Sequence, residues 1–200
     1  QTILDKTGAD VLLGGCREGS RIRLNFQVPS QYEDEELAFV SLMDSLYIPA
    51  RPEGENYPDA VINLIYGGLL SSLNAAGAQA KVYKRYLLKK IIDRLSKDNS
   101  AKTLSIEYMP YIMNFLGIIY LSYAFDKSDG RDFKIVKSLF DTAIKHQDLI
   151  TSPIHLGCIY NHLGQLYDCA TRYMDKNPAA YFKGAIEYYR LAQKYLSKYT

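Results

Sequence analysis

The chain has no tryptophan, three cysteines and no long uninterrupted apolar run. Cys16, Cys158 and Cys169 are odd in number and far apart, so they encode no disulfide framework and fit a reducing compartment. An intracellular, cytoplasmic protein is the expectation. The longest apolar stretch, MPYIMNFLGIIYLSYAF (109–125), carries Asn114 and is short for a membrane-spanning helix, so no membrane span is expected. A large net charge is missing too, at +2 over 200 residues. Residues 1–60 hold 11 acids and 5 bases, whereas 61–200 hold 11 acids and 19 bases. The back half is therefore the one suited to acidic groups. Enzyme signatures are absent: no phosphate loop, no Gly-x-Ser-x-Gly, no paired His-Glu metal motif and no cysteine with a recognisable histidine partner. No enzyme is expected, and only an active site whose residues meet in space alone would escape this reading.

What is present is ordinary globular composition, 48% hydrophobic and 23% charged, with 18 tyrosines. Many of those rings must pack while their hydroxyls reach water or a partner. The length suits one domain, or one large domain with an appendage. A start at Gln1 rather than Met is expected of a processed product or an excised piece. LLGGC (12–16) has the outline of a lipoprotein cleavage box, but no basic segment or apolar run precedes it.

RIRLNFQV (21–28) alternates strictly, with Ile22, Leu24, Phe26 and Val28 on one face and Arg21, Arg23, Asn25 and Gln27 on the other. ADVLLGG (9–15) is its expected partner and CREGS the turn, giving a β-hairpin arm over residues 1–30. The region 31–200 is expected to be helical. A first helix is expected over 29–48, with Ser30 as cap and Glu33, Asp34, Glu35 and Glu36 at the positive end of its dipole. PARPEGENYPDA (49–60) reads as a loop. Further helices are expected near 58–75, 79–97, 107–125, 132–147, 153–174 and 179–197. Short loops between them imply helical hairpins, hence an antiparallel α-helical array. DKSDGRD (126–132) is a turn rather than a calcium loop, because Gly130 is one place early and Lys137 sits where the closing Glu belongs.

Two blocks repeat. Leu116-Gly117-x-x-Tyr120 is followed by Val136-x-x-x-Phe140-x-x-Ala143, and Leu163-Gly164-x-x-Tyr167 by Ala185-x-x-x-Tyr189-x-x-Ala192. The glycines stand 47 residues apart. A fainter copy begins at Tyr66-Gly67-x-x-Leu70. Glycine in mid-helix costs about 1 kcal/mol against alanine, which points to a second helix packed against it. The pattern resembles the tetratricopeptide repeat family. Tyr160, Leu163, Gly164, Tyr167, Ala185, Tyr189 and Ala192 match one repeat, and Met113, Leu116, Gly117, Tyr120, Phe140 and Ala143 the one before. The family's tryptophan is absent, its terminal proline is out of place, and its period of about 34 residues is exceeded. The likeness covers 110–197 well, 58–97 poorly and 1–56 not at all. It implies a solenoid of helix pairs whose first helices line a concave groove.

On a helix over 155–170, at 100° per residue, Leu156, Ile159, Tyr160, Leu163, Leu166, Tyr167 and Ala170 share one arc. His155, Cys158, Asn161, His162, Gln165, Asp168 and Cys169 share the other, which is polar yet hardly charged. By the resemblance, Asn161, His162, Gln165 and Asp168 face the groove, with Asn114 in the matching place one repeat earlier. Amides suit the backbone of an extended peptide. The expected function is a non-catalytic scaffold or adaptor for a protein or peptide. His155, Cys158, His162 and Cys169 are acceptable zinc ligands, but one straight helix cannot readily wrap four of them around an ion, and no metal or cofactor is expected. A second reading places binding on helix 79–97. Its Arg85, Lys89, Lys90 and Arg94, interleaved with Tyr83 and Tyr86, suit an acidic partner or nucleic acid, although the pI near 8.3 disfavours the latter.

Overall fold

The computed structural model describes residues 11–27, 44–52, 55–73, 78–97, 105–124, 130–174 and 177–197. They belong to two compact units, Gln1–Tyr108 and Met109–Thr200.

The first unit opens with the expected hairpin. β1 (Leu12–Glu18) pairs antiparallel with β2 (Arg21–Gln27), from Leu12 opposite Gln27 to Glu18 opposite Arg21. The turn is tighter than CREGS suggests. Cys16, Arg17 and Glu18 extend β1, and Gly19-Ser20 alone reverse the chain. Gly19 takes φ +64°, which suits the first central position of a two-residue hairpin loop. Glu18 accepts from Arg21 at 3.1 Å and forms an ion pair with Arg23 at 3.2 Å, tying the strand ends together. Leu24 and Phe26 are buried, as the alternation requires.

The helix expected over 29–48 gives way at its C-terminal end. Ser45–Pro49 form a third strand, β3, antiparallel to β2, with Asn25 opposite Ser45 and Arg21 opposite Pro49. Leu46, Tyr47 and Ile48 are all buried, so both faces of β3 are covered. Its apolar run then carries no period-two signal, and such a run reads equally well as buried helix. The sheet thus extends beyond residue 30. The remainder of that expected helix, with Ser30 and the acidic run Glu33–Glu36, lies outside the described residues, as does 126–129 of the expected turn.

Helices follow where the periodicity puts them. α1 (Asp59–Ser72) packs on β2 and on α2 (Ala78–Lys97). Leu88, Ile91, Ile92 and Leu95 form the buried face of α2. Lys84 donates to the Leu73 carbonyl at 2.6 Å, satisfying a carbonyl at the C-terminal end of α1. A 3-10 turn, Ile106–Tyr108, closes the unit against β3.

In the second unit α3 (Met109–Ala124) packs on α4 (Gly130–Lys145), and α5 (Pro153–Tyr173) on α6 (Pro178–Leu196). α6 starts at the expected Asn-Pro break. Asn177 stands at φ +60°, its side chain accepts from the Ala180 N–H, and Pro178 opens the first turn. The chain is therefore mainly helical, with a small three-stranded antiparallel sheet near its N-terminal end. No described helix is long and apolar enough to cross a membrane.

Candidate functional site

The two repeated blocks make the same contact. A Cβ on Gly117 would stand 2.4 Å from the Phe140 ring, and one on Gly164 would stand 2.5 Å from the Tyr189 ring. Each glycine lets an aromatic from the following helix lie on its backbone, as expected for Gly164. The small residues complete both seams: Ala143, Ala185, Ala192 and Val136 are buried.

Two further glycines, which the repeat comparison missed, lock the second hairpin. Gly157 receives Leu196, and Gly184, on α6, receives Tyr167 from α5. Contacts at 157–196, 164–189 and 167–184 run in opposite directions along the two helices, so α5 and α6 are antiparallel. Tyrosines line one edge of this hairpin. Tyr160 stacks on Tyr195 at 5.7 Å and on Tyr188 at 6.4 Å. Tyr167 lies 5.1 Å from Tyr188 and 6.1 Å from Tyr181, and Phe133 of α4 meets both Tyr167 and Tyr181 edge-on. Tyr181, Tyr188 and Tyr195 recur every seven residues, as do Tyr160 and Tyr167, and that spacing could have exposed the ladder in the sequence.

The polar stripe of α5 divides in two. His155, Cys158, His162 and Cys169 are buried. His162, 1% exposed, shares a 2.9 Å hydrogen bond between its Nδ1 and Asn114 Oδ1, and its ring stacks on Phe140 at 5.7 Å. It joins α5 to both helices of the preceding hairpin. Tyr111, one turn before Asn114 on α3, makes a second link toward α5. Its hydroxyl accepts from the Thr151 N–H at 3.1 Å, and its ring meets His155 edge-on. Cysteines serve here as small apolar residues, which widens the buried arc beyond the purely hydrophobic positions. All three cysteines are free thiols. Among the described residues no group of three or more His, Cys, Asp or Glu side chains converges as metal ligands would.

Asn161, Gln165 and Asp168 form the outer part of the stripe, each half-buried. Asp168 accepts from Arg172 one turn on, at 2.7 Å. Gln165 Oε1 is buried without a hydrogen-bond partner among the described residues. Tyr189 borders this strip. Burial raises its phenol pKa to about 12, and the Asp168 carboxylate adds to the rise. So the structure brings Asn114 and His162 together inside the unit and leaves Asn161, Gln165 and Asp168 at its surface.

The basic residues of α2 are largely engaged. Lys89 pairs with Asp93, Lys90 lies 4.5 Å from the centre of the Tyr86 ring, and Arg85 is half-buried. Arg94 is exposed and makes no ion pair among the described residues. Tyr83 and Tyr86 present exposed rings beside them.

No family model, no curated protein and no solved structure matches this chain. The tetratricopeptide likeness therefore rests on the sequence pattern alone.

Proposed function

We propose that the chain is a non-catalytic interaction module that holds an extended protein segment along α5. The two hairpins act as divergent tetratricopeptide-like repeats, stacked through His162, and their first helices offer the binding face. One observation carries the reading: among the described residues Gln165 keeps a buried carbonyl oxygen without a donor, in a half-buried row with Asn161 and Asp168. A buried acceptor left unmade costs about 1–3 kcal/mol, and a peptide N–H supplied by a partner removes that cost. Asn114 and His162 form the floor that fixes this row instead of touching the partner.

The test uses peptides selected from a random library against the full chain. Asn161→Ala and Gln165→Ala should each weaken a selected peptide about five- to a hundredfold, by loss of a paired amide, with the melting temperature nearly unchanged. Charge reversal at Lys89 and Lys90 should leave that binding intact. Loss at the lysines with indifference at Asn161 would favour the second reading, in which α2 binds an acidic surface. Its support is the exposure of Tyr83 and Tyr86 beside Lys90.

A further inference from the structure

Asp168 is the one charged residue in the row with Asn161 and Gln165. Its cation, Arg172, belongs to the same helix one turn on and reaches Asp168 Oδ2 at 2.7 Å. The two side chains are 35% and 46% exposed, and an exposed pair one turn apart adds little to stability. The carboxylate can therefore exchange Arg172 for a cation from outside. Tyr189 of α6 stands next to it. That ring lies on Gly164, where a Cβ would be 2.5 Å away, and 37% of the residue faces solvent. Gln165 follows Gly164 in α5, and Asp168 stands one turn beyond it. Asp168 is near enough to the Tyr189 phenol for its charge to help hold the proton there. A carboxylate, an aromatic ring and the buried Gln165 Oε1, unpartnered among the described residues, thus border one place on α5.

All three groups attract a guanidinium. The carboxylate can accept two parallel N–H bonds from its fork. A tyrosine ring attracts a flat, weakly hydrated cation. The amide oxygen has two lone pairs, one for a guanidinium N–H and one for a backbone N–H of the same segment. A lysine ammonium matches the charge but neither the fork nor the plane. We infer that the segment held along α5 carries an arginine, whose side chain takes the place of Arg172 on Asp168 and lies against Tyr189. This inference rests on the peptide reading of the row and adds the charge of the partner. It also gives Arg172 a role, as an internal competitor that covers the carboxylate until the partner arrives.

Fluorescence anisotropy on the full chain tests this with four pools of labelled, end-capped peptides, random except for one central residue. That residue is arginine, lysine, glutamate or citrulline, the neutral isostere of arginine. The arginine pool should bind about tenfold tighter than the citrulline pool, as loss of a charged hydrogen bond implies. Lysine should fall between them, and glutamate should be weakest. Asp168→Asn should erase the difference between arginine and citrulline. Arg172→Gln should tighten the arginine pool about threefold, the worth of an exposed pair, and leave the citrulline pool unchanged. Circular dichroism should be the same for both variants. Arginine and citrulline pools that bind equally, yet weaken in Gln165→Ala, would overturn the arginine and leave the peptide face standing. Four pools that fail to bind, or that bind with no response to Gln165→Ala, would overturn both. A glutamate pool that binds tightest, or an arginine pool weakened by Arg172→Gln, would overturn the exchange by making Arg172 itself the contact.

Discussion

Gly117 under Phe140 and Gly164 under Tyr189 are one contact made twice, in different surroundings. Phe140 is fully buried, with its ring also stacked on His162 of the next hairpin. Tyr189 keeps 37% of its surface in solvent. Sequence spacing sets the contact, and the neighbours of the ring set what a disturbance costs. An aromatic trapped between two hairpins has nowhere to move, whereas one at the margin can swing outward.

The largest expected effect follows from that difference. Gly117→Leu should destabilise the protein by about 3 kcal/mol, the upper part of the overpacking range, because the ring it displaces is enclosed. Gly164→Leu should cost about 1 kcal/mol, the lower part of that range. The alanine pair sharpens the contrast. Gly164→Ala gains about 1 kcal/mol of helix propensity, which should nearly cancel the shift of Tyr189, while Gly117→Ala should remain destabilising. Urea unfolding of the four variants measures all of this. Equal losses at the two glycines would mean that ring surroundings are irrelevant and that the comparison fails.

A smaller effect is expected where the hairpins join. Asn114→Ala removes the partner of His162 Nδ1 and should cost about 1–2 kcal/mol. Replacing both groups by apolar ones, Asn114→Leu with His162→Phe, should cost less than the sum of the single changes, since no buried polar atom is then orphaned. An additive result would show that the hydrogen bond does not couple the hairpins.

The residues that were legible before the structure are those whose pattern is local. Helix positions from residue 59 onward follow from the 3.6-residue period, and Gly164 follows from its cost in mid-helix. β3 was not legible, because a strand buried on both faces has no alternation and LYI resembles the buried stripe of a helix. The site was half legible. Asn161, Gln165 and Asp168 do share a surface strip. Asn114 and His162 look like part of it because side-chain polarity does not say whether a hydrogen-bond partner comes from another molecule or from a helix 48 residues away.

The smallest expected effect separates the two rings by chemistry. Burial lifts the Tyr189 phenol to about 12, and burial raises Tyr160 and Tyr167 in the same direction. An unfolded phenol releases its proton near pH 10. Between about pH 10 and 12 the folded protein thus holds protons that the unfolded chain has lost. Stability must then fall as pH rises through that window, and it is insensitive to these groups below it. Solvent reaches more than a third of Tyr189, so its share should stay under about 1 kcal/mol. Tyr189→Phe should remove that share, making the alkaline fall in urea midpoint shallower than in the parent. An identical fall in both proteins would mean that the phenol is as free to ionise folded as unfolded. Phe140 has no hydroxyl to titrate, so the lock between Gly117 and Phe140 should stay silent over the same range.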